Sequence, residues 1–218
     1  SAPTSTLQKV AEGVRFIFSN RNFLILITLS FGGMFFVSSY MQIMPIFSDL
    51  LGAGETGYGY LISITGVGSV AGTVLVGSFQ ESRRLGKIIL ASAFLSGSSI
   101  YLFSLATSFA LTSGYAYSLA MVAGFTIALF TSIFMITSMT VLQLQVPDKL
   151  RGRVMGLHSI TYSLMPLGGL LAGFLSSIIS APAAIALSAS VYLAMVGVIS
   201  LKEGQIRRID GSSLSATA

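Results

Sequence analysis

The chain has 218 residues, of which 53% are hydrophobic and only 9% are charged. These values are typical of an integral membrane protein and exclude a disordered or fibrous chain. The formal net charge is +5, but no basic stripe is interleaved with aromatic residues, so we expect no nucleic-acid partner. The sequence contains no cysteine, which excludes disulfides and thiolate metal sites.

Residues 1–21 contain the only sizeable amphipathic segment. Leu7, Val10, Val14, Ile17 and Phe18 recur at helical spacing, and charged residues occupy other positions around the turn. This pattern predicts a helix that lies on the membrane surface and leads into the first span. A helix that binds a partner protein is the alternative interpretation.

Long uncharged runs predict an all-α bundle of six transmembrane helices. Residues 22–48 and 56–80 are each long enough for one crossing of a bilayer, which needs about 20 apolar residues. Residues 88–147 and 154–201 are each long enough for two, and we divide them near residues 107–113 and 180–182. The predicted spans are residues 22–48, 56–80, 88–106, 114–145, 154–179 and 183–201, with a polar tail at 202–218.

All twelve Lys and Arg residues fall on one side of this topology. They precede the first span, lie between the second and third and between the fourth and fifth spans, and follow the sixth. Short cytoplasmic loops carry an excess of Lys and Arg, so we expect this face and both termini to be cytoplasmic. The predicted location is the cell membrane, inner or plasma, with multiple crossings of the lipid bilayer.

Two pairs of glycines at four-residue spacing indicate close helix packing. Gly68 and Gly72 form one pair on the second span, and Gly169 and Gly173 form another on the fifth. Small residues let two helix backbones approach in lipid. Lipid-facing glycines without a packing role are the alternative.

His158 is the one ionisable group in the fifth and sixth spans other than tyrosine. An intramembrane histidine could carry protons. Because it lies near the cytoplasmic end of the fifth span, we favour a hydrogen-bonded structural role. No span contains an interior Asp, Glu, Lys or Arg, and no catalytic motif is recognisable, so we expect neither an enzyme nor a cofactor or resident metal.

The first and fourth spans are rich in aromatic residues and methionine. Packing in the membrane core is the default interpretation, and an adaptable, mostly apolar wall around a substrate cavity is the functional one. The residues assigned to such a wall are Phe36, Tyr40, Gln42, Met44, Met121, Phe125 and Gln143.

Two tracts resemble a known family. Leu142–Ser159 reads LQLQVPDKLRGRVMGLHS and Pro166–Gly173 reads PLGGLLAG. With the basic surface helix and six spans, they resemble the C-terminal half of a major facilitator superfamily transporter. The branch of the family that they resemble most contains bacterial exporters similar to enterobactin and macrolide efflux carriers.

This resemblance implies that the six spans are helices seven to twelve of a proton-coupled exporter of small apolar or amphipathic molecules. The first and fourth spans would face the substrate. The second and fifth would meet an N-terminal six-helix half that the sequence does not contain. The alternative is a self-contained six-helix channel or scaffold that acts as an oligomer.

The resemblance also implies gating loops at the cytoplasmic face. The family's signature, Gly-x-x-x-Asp-Arg-x-Gly-Arg-Arg, corresponds in altered form to part of the loop after the second span. Charged residues of this loop and of the loop after the fourth span would form contacts that hold this face closed. The alternative is that these charges only orient the protein in the membrane. The residues assigned to gating are Gly77, Glu81, Arg84, Gly86, Lys87, Asp148, Arg151 and Arg153.

Overall fold

The computed structural model describes residues 6–78, 84–108 and 115–208, and all regular secondary structure in this part of the chain is helical. A short amphipathic helix is followed by six helices that are long and apolar enough to cross a membrane, which confirms the predicted six-span, all-α class. The helices are α1 (Thr6–Ser19), α2 (Arg21–Leu50), α3 (Gly54–Gly77), α4 (Leu85–Ser108), α5 (Ala116–Gln145), α6 (Asp148–Ile178) and α7 (Ala181–Lys202).

Two of the spans are not continuous α-helices. In α2, Gly33–Val37 forms a π-helical turn and Ser38–Ile43 forms a 3-10 helix before regular geometry resumes at Met44. In α6, the 3-10 segment is Thr161–Leu164. Each 3-10 segment is followed within two residues by a proline, Pro45 or Pro166, which has no N–H to donate to the carbonyl four residues earlier.

Close packing joins α5 to α3 and α2 to α6. A Cβ atom on Gly68 of α3 would overlap the backbone carbonyl oxygen of Phe125 in α5. A Cβ atom on Gly72 would overlap that of Leu129. On α6, a Cβ atom on Gly168 would overlap the carbonyl oxygen of Phe35 in the irregular part of α2. The glycines therefore bring backbones into direct contact where a side chain would separate them.

The two glycines predicted on α6 differ from each other. Gly169 is buried, and a Cβ atom there would overlap the side chain of Gln42. Gly173 is different, because its nearest neighbour would be the Cγ2 atom of Ile43 at 4.0 Å, an ordinary contact. The glycine of α6 that meets the backbone of another helix is thus Gly168, which the four-residue spacing did not identify.

Ion pairs and backbone contacts gather four helix ends at one end of the bundle. Arg21 at the start of α2 pairs with Glu203, directly after α7, and Arg153 near the start of α6 pairs with Glu12 of α1. Gly86 at the start of α4 lies against the backbone of Ile206. We call this end of the bundle the basic end.

The amphipathic helix α1 packs on the spans of its own chain. A Cβ atom on Gly13 would lie 3.1 Å from the Leu157 side chain of α6, and the rings of Phe16 and Phe23 are 5.1 Å apart. Ile17 is buried, whereas Phe18 is 70% exposed. One side of α1 therefore contacts α2 and α6, and Phe18 remains exposed at the edge of that contact.

We expect Gly72→Leu to lower the thermal stability of the detergent-purified protein clearly more than Gly59→Leu. The new side chain at position 72 would force α3 away from α5, and overpacking of this kind typically costs about 1–3 kcal/mol. Gly59 is the matched control, since it lies on the same helix and a Cβ atom there would meet no atom within 4 Å. Equal unfolding temperatures for the two variants would contradict the close α3–α5 packing.

Candidate functional site

A cavity of about 250 Å³ lies between α2, α3 and α5. Its residues come from the middle of all three helices, and on α2 they belong to the irregular segment. A site at half the depth of the bundle beside a broken helix is the arrangement seen in many secondary transporters. The cavity is lined by Val37, Ser38, Tyr40, Met41, Thr65, Gly66, Ser69, Ile127, Ala128, Thr131 and Ser132.

The cavity wall carries hydroxyl groups and no charged side chain among the described residues. The Oγ atoms of Ser69 and Ser132 are 2.8 Å apart and form a hydrogen bond between α3 and α5. Thr65 donates to the carbonyl of Ile62 in its own helix at 2.7 Å. The Oγ1 atom of Thr131 is buried and has no hydrogen-bond partner in the described part of the chain.

An unpaired hydroxyl has a free-energy cost. Leaving a buried polar group without a partner costs about 1–3 kcal/mol, so Thr131 would be stabilised if its side chain turned the hydroxyl towards a ligand in the cavity. The apolar part of the wall, which includes Val37, Met41 and Ile127, would contact hydrocarbon. The arrangement is therefore suited to a small uncharged molecule with both polar and apolar parts.

The residues predicted to line a cavity on α2 face different directions. Tyr40 lines the cavity, and its ring packs 5.7 Å from that of Phe103. Gln42 is exposed and lies against Gly169 of α6, while Met44 is completely buried in the core. Phe36 is half-buried and does not line the cavity.

The residues predicted on α5 do not line the cavity either. Met121 and Phe125 are half-buried, and the Phe125 backbone faces Gly68. Gln143 is exposed towards the basic end. Tyr40 is thus the member of the predicted wall that lies at the cavity, because successive helical residues turn by about 100° and composition does not specify a face.

Sequence reasoning missed the hydroxyl residues of the cavity. Ser69, Thr131 and Ser132 lie on spans where glycine, aromatic residues and methionine form the more conspicuous patterns. A signal was available, since hydroxyl side chains are the commonest polar groups in these otherwise apolar runs. However, many Ser and Thr residues in these helices bond to their own helix backbone, so the residue type does not distinguish a cavity position.

His158 is buried between α6 and α2. Because α6 begins at Asp148, His158 is ten residues, or about 15 Å, along that helix. The side chain is 1% exposed, and its Nε2 atom is 3.3 Å from the Oγ atom of buried Ser30 on α2. Its Nδ1 atom has no hydrogen-bond partner among the described residues. Ser30 precedes the cavity segment of α2 by about two turns, so the histidine and the cavity are separate features.

The structure places the predicted gating residues in different surroundings. Glu81 lies outside the described residues, Gly77, Arg84 and Lys87 are exposed, and Gly86 is buried against Ile206. Asp148 and Arg151 form a local ion pair, with 2.8 Å between Oδ1 and Nη2.

Arg153 pairs with Glu12 of α1 rather than with a residue of the other predicted loop. The ion pair that joins the first span to the last, Arg21–Glu203, was not predicted, because its partners are 182 residues apart. The ion pairs thus connect α1 to α6 and α2 to α7.

The Arg21–Glu203 pair has two hydrogen bonds. The Nε atom of Arg21 donates to Oε2 of Glu203 at 2.7 Å, and Nη2 donates to Oε1 at 2.5 Å. These hydrogen bonds lower the pKa of the Glu203 carboxyl below its usual range. Glu203 is therefore ionised in the folded protein at neutral pH.

We expect acid to weaken this contact. A carboxyl whose pKa is lower in the folded than in the unfolded protein stabilises the fold above its unfolded pKa, and this contribution is lost as the pH falls through the lowered value. Between about pH 6 and pH 3, the unfolding temperature of Glu203→Gln should therefore fall less than that of the wild type.

The control for this experiment is Glu55→Gln, which removes an exposed carboxyl at the other end of the bundle, where no ion pair is described. Its unfolding temperature should follow the wild type over the same pH range. An identical pH dependence for the wild type and Glu203→Gln would contradict a stabilising role of the pair.

Comparison with known proteins adds one finding. Residues 2–167 match the family model described as Major Facilitator Superfamily. No curated protein matches the chain.

Proposed function

The chain belongs to the major facilitator superfamily of membrane transporters, and on this premise we propose that it binds a small amphipathic substrate in the hydroxyl-lined cavity. The observation that carries this proposal is the irregular segment of α2, Gly33–Ile43, beside that cavity. Irregular backbone within a membrane is tolerated where it is buried in protein or lines a cavity. A broken span at a substrate site is also a recurring feature of secondary transporters.

The size of the cavity supports a shared site. Its volume of about 250 Å³ is below the roughly 300–1,000 Å³ usual for ligand pockets. We propose that this chain holds part of the substrate and that a second six-helix bundle, the N-terminal half of the same transporter, supplies the remaining wall.

The exposed faces of α3 and α6 are suited to contact that second bundle. These are the least buried of the six spans: 28% of the most apolar stretch of α3 and 22% of that of α6 are buried. Large apolar side chains are exposed on both, including Val70 and Val74 on α3 and Leu170 and Phe174 on α6. We propose that the two bundles rock against each other along these faces to give alternating access.

We further propose that the direction is export and that the driving force is a proton gradient. The resemblance to efflux carriers supports export of small apolar or amphipathic molecules. The concentration of Lys and Arg at the basic end supports a cytoplasmic location for that end, in a cell membrane. The Glu12–Arg153 and Arg21–Glu203 pairs would then lie on the cytoplasmic side and restrain its opening.

We expect Thr131→Val to weaken transport by the protein of natural length. Valine keeps the shape of threonine but removes the hydroxyl that the substrate would use, and loss of one hydrogen bond of about 1.4 kcal/mol corresponds to a tenfold change. The measurement is the concentration dependence of efflux of a neutral lipophilic fluorescent dye from cells that express each variant.

The matched control for Thr131→Val is Thr73→Val. Thr73 is exposed on α3, lies outside the cavity, and donates to the carbonyl of Ser69 in its own helix. Its variant should transport like the wild type at equal expression. Unchanged efflux in Thr131→Val, or an equal loss in both variants, would overturn the assignment of the cavity.

We expect proton coupling to survive replacement of His158. Coupling needs a group that exchanges protons with a water-filled path, whereas His158 is buried and contacts Ser30 of α2. His158→Gln should keep pH-gradient-dependent transport in proteoliposomes. Ser30→Ala removes the same contact from the other side, and it should also keep pH-gradient-dependent transport. Loss of the gradient dependence in His158→Gln but not in Ser30→Ala would instead make His158 a proton site.

A further inference from the structure

A shallow groove of about 220 Å³ runs between the start of α2 and the end of α7 at the basic end. Its floor is apolar and consists of Leu24 and Ile25 from α2 and Val198 and Ile199 from α7. Val198 is 51% exposed, so the groove opens to the outside of the bundle. In a membrane this opening faces the acyl chains of lipid.

The rim of the groove carries two cations and one carboxylate. Arg21 and Lys202 lie at the outermost positions of α2 and α7, and Glu203 follows directly. The side chain of Arg21 is 67% exposed although it pairs with Glu203, which is 13% exposed. Lys202 is exposed and has no hydrogen-bond partner within the described ranges. The rim therefore retains a positive charge at the level of the lipid head groups.

A second apolar groove of about 360 Å³ lies on the other side of α2. It is formed by α1, α2 and α6, and it shares Leu24 and Thr28 with the first groove. The hydroxyl of Thr28 donates to the carbonyl of Leu24 at 2.7 Å, so it is already satisfied within the helix. Leu24 and Thr28 thus form a narrow ridge with an apolar groove on each side.

We propose that this surface binds one anionic phospholipid with two acyl chains. Its phosphate contacts Arg21 and Lys202, and its chains occupy the two grooves on either side of the Leu24–Thr28 ridge. From Arg21 to Thr28 the helix descends seven residues, about 10 Å, which is the path from a head group into the hydrocarbon. A zwitterionic lipid offers the same chains without a net negative charge, so the rim favours an anionic one.

The proposed lipid would connect three spans and the amphipathic helix. It would contact α2 and α7 through the first groove, and α1, α2 and α6 through the second. These are the same helices that the Arg21–Glu203 and Glu12–Arg153 pairs join. The lipid would therefore reinforce the closed arrangement of the basic end.

The experiment compares retention of phosphatidylglycerol and phosphatidylcholine by native mass spectrometry of the detergent-purified protein of natural length. The wild type should retain one phosphatidylglycerol more strongly than phosphatidylcholine. Lys202→Gln should weaken retention of phosphatidylglycerol about fivefold, the effect of one basic residue near an anionic lipid. Lys149→Gln, which removes an exposed lysine that lines neither groove, should retain it like the wild type.

A second variant tests the chain-binding groove separately. Val198→Trp fills the first groove without changing any charge, so it should also reduce retention of phosphatidylglycerol. Equal retention of the two lipids by the wild type, an equal effect of Lys149→Gln and Lys202→Gln, or full retention by Val198→Trp would each overturn the proposed site.

Discussion

Backbone hydrogen bonds in lipid are the constraint on which the structure depends. Hydrocarbon offers no partner to a free N–H or carbonyl group, so a chain that crosses it must satisfy these groups internally, as long helices do. Four of the six crossings are continuous α-helices and α6 contains one short 3-10 segment, but α2 is first π-helical and then 3-10 helical between Gly33 and Ile43. That change is tolerable because the segment packs on α6 and lines a cavity with α3 and α5.

The position of α2 in the bundle depends on close helix contacts. Gly168 places α6 directly on the backbone of Phe35, and the Gly68 and Gly72 contacts hold α3 on α5. These contacts bring hydroxyl residues of α3 and α5 towards the irregular segment, where Ser69 bonds to Ser132 and Thr131 has no partner among the described residues. The close packing at these glycines therefore also determines where the polar cavity lies.

The basic end is organised differently from the centre. There the bundle meets water and head groups, and charged pairs join segments that are far apart in sequence, such as Arg21 with Glu203. Each exposed pair contributes little free energy alone. These pairs matter for the arrangement of the helices, because they hold the start of α2 against the end of α7 and the start of α6 against α1. Two apolar grooves lie between these helices.

The sequence by itself determined the class of the protein and the number of crossings. Uncharged runs can be counted residue by residue, and a charge in the membrane is costly whatever the tertiary fold. The tertiary structure alone decided which side chains meet: Tyr40 reaches the cavity whereas Met44 is buried in the core, Gly168 rather than Gly173 makes the close crossing, and Arg153 pairs with Glu12. All faces of a transmembrane helix are apolar, so composition carries little information about which face turns towards which neighbour. That choice depends on packing between residues far apart in the chain.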